Sequence, residues 1–272
     1  MSLFNAGLAR VTDVALSPFS GLDPLIGLTV VSLVTAAAML LVFKRTSNQA
    51  KLAEVKRSIH AGIFEIRLFN DDFRAIARAQ RDIMRDNAKY LWLSLAPMMW
   101  VIVPLVLVIA QLQFHYGYAP VNPGNGVLLK VLLRDGSSGE GVSLEAPPQV
   151  HLDTPAVWLP GAKEVVWRVR AAEPGRYDLR FKVGNETYSK QLQVAGGVVR
   201  RSPVRLENNL LNLLLYPSEA SLPDEGSVAA ITVGYEERDL SVFGWDLNWM
   251  VVYFALSLIF AFALRKPFGV TI

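Results

Sequence analysis

The sequence predicts an α-helical membrane protein: three transmembrane helices plus a cytoplasmic helical hairpin, with an inserted all-β, immunoglobulin-like sandwich domain. Three observations predict it. Apolar runs at 25–43, 91–112 and 247–264 each approach the ~20 residues a helix needs to cross a bilayer core of about 30 Å. The link between the first two runs is short and basic. The link between the last two is long, and its apolar residues recur with a period of two, as in strands with one face on a core.

Charge sets the expected orientation. Residues 44–90 hold eleven Lys/Arg against six Asp/Glu, and residues 113–246 hold thirteen against sixteen. Arg265 and Lys266 follow the third run. Short cytoplasmic loops carry the excess of Lys/Arg. The N-terminus and 113–246 are therefore expected outside, and 44–90 and the tail 265–272 in the cytoplasm. A basic loop of this kind is a solvated face beside anionic lipid rather than a nucleic-acid patch, so no nucleic-acid partner is expected. There is no cysteine, so disulfides and cysteine-type zinc sites are excluded. Lys44 and Arg45 follow the first apolar run and only Arg10 precedes it, which marks a retained helix and not a cleaved signal peptide.

Residues 1–24 place Phe4, Leu8, Val11 and Ala15 at helical spacing before Ser17-Pro18. The pattern fits an external interfacial helix or a frayed terminus. In the first span, Thr29, Ser32 and Thr35 fall along one side of a helix. Close interhelical packing explains such a stripe by itself. Within 44–90, Leu52, Val55, Ile59, Ile63 and Ile66 trace one apolar face, Asn70-Asp71-Asp72 interrupts it, and Phe73, Ile76, Ala77, Ile83 and Met84 resume it. Two amphipathic helices about a tight turn make an antiparallel hairpin. Any apolar face left over is free to meet a partner or client. The second span carries Pro97, Pro104, Met98, Met99 and Trp100, where proline favours a kink and methionine suits irregular apolar surfaces.

From Gly124 to Val194, short alternating segments separated by Asp135-Gly136 and Pro174-Gly175 read as an antiparallel sandwich. Residues 203–223 break that pattern. Their leucines, at 210, 211 and 213–215, suit an interfacial segment or lid. Ala229–Tyr235 reads as a returning strand. Trp245 and Trp249 are expected in an aromatic belt at the outer interface. No phosphate-binding glycine loop or nucleophile elbow is present. His60, His115 and His151 fall on opposite sides of the expected membrane, and no charged residue lies inside a span. The expectation is a non-enzyme with no cofactor and no metal.

The first span ending in Val42-Phe43-Lys44, then Thr46-Ser47-Asn48-Gln49, then the hairpin from Lys51 to Lys89, with Pro97 beyond it, resembles the YidC/Oxa insertase superfamily. The likeness is greatest to its three-span members, the archaeal YidC-like proteins and the third subunit of the endoplasmic-reticulum membrane protein complex. It covers 25–112 and, more loosely, 247–264. Two departures stand out: no groove arginine, and an added external β domain. The resemblance implies a hydrated groove open to cytoplasm and lipid, with Thr29, Ser32, Thr35, Ser94 and Ser257 as groove candidates. It also implies client capture by Ile59, Ile63, Phe73, Met84, Met98 and Met99. Partners would be membrane lipids, newly made membrane proteins and partner membrane subunits, in a prokaryotic inner membrane. The competing expectation is a non-catalytic assembly subunit that binds an external partner through the β domain.

Overall fold

Asp23 and Pro24 open the first long apolar helix. The Asp23 carboxylate accepts the Leu25 amide at 2.8 Å, and proline at the first helical position sacrifices no bond, since that amide has no partner in any helix. The computed structural model describes residues 2–69, 71–137, 139–209, 212, 215, 216 and 218–270, without side chains at 2–6 and 96. Among the described residues, helices α1 (Ser2–Leu16), α2 (Pro24–Thr46), α3 (Gln49–Leu68) and α4 (Phe73–Tyr116) precede eleven strands, and α5 (Trp249–Leu264) follows them. The chain divides into two compact units. One is Met1–Leu28 with Leu107–Val252, and the other is Thr29–Val106 with Tyr253–Ile272.

In the second unit the local chemistry fixes each turn. Asn48 caps α3, its side chain accepting from the Lys51 amide at 3.1 Å. Asp72 caps α4 through the amides of Arg74 and Ala75 at 2.8 and 3.2 Å. Asn70, expected in this turn, lies outside the described residues. α3 and α4 approach so closely that a Cβ on Gly62 would stand 2.6 Å from Ile83 Cγ1. Leu52, Val55 and Ala79 are buried on the same two helices. α4 runs unbroken for 44 residues through Pro97 and Pro104, about 66 Å, so arm and apolar run form one element. The Lys44 ammonium at the end of α2 donates to the Phe268 carbonyl at 2.7 Å.

Among the described residues, two helical stretches are long and apolar enough to cross a membrane: Pro24–Thr46 and Pro97–Tyr116. The second begins later than the expected 91–112. The third apolar helix, Trp249–Leu264, is shorter.

The first unit is built on β1 (Gly126–Leu133), β5 (Glu164–Ala171) and β9 (Val228–Val233), with β1 between the other two. β3 (Val150–Leu152) and β4 (Val157–Leu159) flank β5, and β8 (Val204–Leu206) flanks β9. A second sheet joins β2 (Ser143–Glu145), β6 (Gly175–Val183) and β7 (Glu186–Val194). All these pairings are antiparallel. The sheets share one core, in which Trp167 of β5 meets Phe181 of β6 edge-on at 5.6 Å, as a sandwich requires. The β6–β7 turn needs Gly184, whose φ is +57°. A separate hairpin, β10 (Asp239–Val242) with β11 (Trp245–Asn248), leads into α5.

Two expectations are corrected. Residues 203–223 are not wholly without strand, because β8 adds three residues to the sheet edge beside β9. Leu210, Leu211, Leu213 and Leu214 of the expected lid lie outside the described residues. Trp249 is not in an exposed belt. It is buried, stacked on Tyr116, and its indole donates to Gln113 Oε1 at 3.1 Å. Trp245 is exposed.

Candidate functional site

Helix α2 is apolar all round, so hydropathy alone does not choose its inner face. The hydroxyls do. Ser32, Thr35, Ala36 and Leu40 are buried at helical spacing, while Val30, Leu33, Val34 and Leu41 are exposed. Ser32 is 0 % exposed, and its Oγ has no hydrogen-bond partner among the described residues. Tyr253 of α5 is also buried, its hydroxyl against Thr35 and Ser257. Ser257 and Thr29 are half-buried. Ser94 takes a different course: its hydroxyl donates to the Tyr90 carbonyl of its own helix at 2.9 Å. Thr35 and Ser257 therefore converge on one cluster, with Ser32 one turn away on the same helix. Tyr253 was not among the candidates. Its signal was its place one turn before Ser257 on an otherwise apolar helix.

The hairpin carries the second feature. Ile63, Phe73 and Met84 are exposed, as are Met98 and Met99 on the apolar run of α4, while Ile59 is half-buried. Phe64, Leu68 and Phe69, absent from the sequence-derived set, are exposed beside the turn, and Phe73 reaches 80 % exposure. These residues form an apolar cap at the hairpin tip, the kind of surface that marks a protein or membrane contact.

The β unit holds polar groups of another kind. Lys190 has no exposed side-chain surface. Its ammonium donates to Glu219 Oε2, Ser202 Oγ and the Ser202 carbonyl, each at 2.7 Å. Burial pushes its pKa down to about 8, and the Glu219 carboxylate opposes that shift. Lys190 sits between Tyr188 and Leu192 at an inward position of β7; that parity was its signal in the sequence.

On α1, Asp13 Oδ1 lies 2.9 Å from His115 Nε2 and 2.8 Å from Arg200 Nε. Arg200 also donates to the Ala9 carbonyl and to Gln111 Oε1. Burial works against the Asp13 charge, and the hydrogen bonds from His115 and Arg200 outweigh it, holding the carboxyl below its ordinary 3.8. α1 is thus tied to the β unit by charge, while Val11, Val14 and Ala15 on its surface stay exposed. Arg201 is completely buried and donates to the Gly196 and Gly197 carbonyls at 2.8 and 3.2 Å. Burial, then the nearby Arg238 charge, lower its pKa to about 10.

No protein-family model matches the chain, and neither a curated protein nor a solved structure matches it. Among the described residues, no group of three or more His, Asp or Glu is placed to hold a metal ion. The hydroxyl cluster offers hydrogen-bonding groups within otherwise apolar helices. It contains no group that ionises near neutral pH.

Proposed function

We propose that this chain is a membrane-protein insertase or insertion chaperone of the YidC/Oxa type. In this reading α2, the apolar part of α4 and α5 are three spans. The N-terminus and the immunoglobulin-like domain face outward, and the hairpin and C-terminus lie in the cytoplasm of a prokaryotic inner membrane. The observation that carries the reading is the cluster of Thr35, Tyr253 and Ser257, with Ser32 beside it, inside helices that are otherwise apolar. A polar segment entering hydrocarbon leaves each backbone group unsatisfied at a cost of several kcal/mol. Hydroxyls, with any water they hold, lower that cost along one path. The apolar hairpin tip collects the client, and release into lipid completes the step without a covalent intermediate or nucleotide.

One observation favours a second reading, that of an assembly subunit. Ser32 is fully buried and Thr35 nearly so, as in a dry helix contact. Insertion of short-tailed client proteins into vesicles carrying the purified chain separates the two readings. Replacing Thr29, Ser32 and Thr35 together by Val should leave the chain folded and abolish insertion. A wild-type chain no better than empty vesicles, with its co-purifying partners restored, would remove the insertase reading and leave the subunit. The orientation has its own test: Ser58→Cys should react with an impermeant thiol reagent only after the membrane is opened, and Asn185→Cys should react from outside.

A further inference from the structure

The hairpin leading into α5 carries apolar residues beyond the surface on which it packs. Its strands are joined by the two-residue turn Phe243-Gly244, with Val242 opposite Trp245 and Leu240 opposite Leu247. These four residues share one face; Asp239, Ser241, Asp246 and Asn248 occupy the other. On the apolar face Leu240 is buried, and Val242 and Leu247 are half-buried. Trp245 is 73 % exposed, and Phe243 at the turn is wholly exposed. The apolar face continues to the tip after its protein cover has ended.

The turn makes the overhang costly. Phe243 has φ +53° and Gly244 φ +83°, the pair of positive angles a type I′ hairpin requires. Asparagine or aspartate takes the first of these positions with little strain, and a bulky aromatic does not. Phe243 therefore bears backbone strain and gains no contact inside the fold. An aromatic held in this way is explained by a contact outside it.

Chain geometry identifies that contact. α5 has 16 residues, about 24 Å, or roughly 6 Å less than a bilayer core. Arg265 and Lys266 follow its C-terminal end and hold that end at the headgroups. The shortfall then falls at the Trp249 end, where β11 supplies four residues, about 13 Å of extended chain. We infer that the Phe243–Trp245 tip inserts into the outer lipid interface as an aromatic anchor. The inference rests on the reading of α5 as a span.

The chain has no cysteine, so Phe243→Cys and Leu258→Cys each give a unique site for an environment-sensitive fluorophore. The full chain is reconstituted in phosphatidylcholine vesicles containing nitroxide lipids with the quencher near the headgroup or deep in the acyl chain. The label at 243 should be quenched more strongly by the shallow nitroxide, and the label at 258 by the deep one. If iodide in the water quenches 243 while 258 remains deep, the anchor is refuted and the span survives. If iodide reaches 258, α5 does not span and both fail. A label at 243 shielded from iodide and nitroxide alike means a protein contact, which also overturns the inference. Phe243→Asn in detergent should keep or raise Tm, since asparagine accepts the turn; a lowered Tm would show that Phe243 packs within the fold and would remove the argument.

Discussion

Lys190 and Ser32 are both completely buried polar residues, one in the β unit and one in α2, and the protein treats them oppositely. Lys190 has a carboxylate, a hydroxyl and a carbonyl within 2.7 Å. Ser32 Oγ has no hydrogen-bond partner among the described residues. The difference follows from where each group would otherwise be. A residue of the β unit leaves water on folding, so an unmatched charge loses its hydration outright. If α2 spans a bilayer as proposed, the alternative for its hydroxyl is hydrocarbon, and burial against another helix costs it nothing further.

The largest effect that would break this contrast is at Lys190. Lys190→Met strands the Glu219 carboxylate and should cost about 3–5 kcal/mol, as removal of one partner from a buried pair does. Lys190→Met combined with Glu219→Leu should recover most of that loss. Denaturant unfolding of the full chain in detergent, followed through near-ultraviolet circular dichroism, reads both. A single substitution as mild as a surface change would mean that the pair is not buried in solution.

A second test concerns the half-exposed charge on α1. The Asp13 carboxyl is held below 3.8 in the folded protein, so its contribution is fully present above that value and is lost as pH falls through the depressed one. A spin label at Val14, which is exposed, should be immobilised at neutral pH and become mobile in acid below 3.8. In Asp13→Asn it should be mobile throughout. A label insensitive to pH would place the tether of α1 elsewhere.

The smallest expected effect sharpens the contrast from the other side. Ser32→Val should change stability by no more than the ~0.6 kcal/mol average of an interhelical hydrogen bond in a membrane. A markedly larger loss in thermal unfolding would show that Ser32 holds a water whose removal matters, and would strengthen the hydrated-groove reading.

Much of the fold was legible because its signals are local. Asp23, Asn48 and Asp72 cap the helices they precede, and the alternation at Tyr177, Leu179, Phe181 and Val183 gives β6. What escaped depends on partners distant in the chain. Trp249 reads as an interface aromatic until Gln113, more than a hundred positions away, accepts its indole proton. The partners of Lys190 come from a segment whose neighbouring leucines suggested an apolar lid. Of the expected hydroxyls, Thr35 and Ser257 come together, whereas Ser94 binds its own helix. Sequence spacing cannot distinguish those outcomes, because a serine in a helix reaches its own preceding carbonyl as readily as a neighbouring helix.

The 44 unbroken residues of α4 have a mechanical consequence. Pro97 and Pro104 lack a backbone donor, and neither breaks the helix, so no interruption marks where the arm ends and the apolar run begins. Side chains mark it instead, and Arg85, Asp86 and Lys89 are the last charged residues before the apolar run. Sinking by one turn, about 5.4 Å, breaks no peptide hydrogen bond and draws these charges toward hydrocarbon, where each costs at most the ~2.5–3.5 kcal/mol found at a span's centre. In the proposed bilayer orientation these charges, and no break in the helix, set how far α4 can sink.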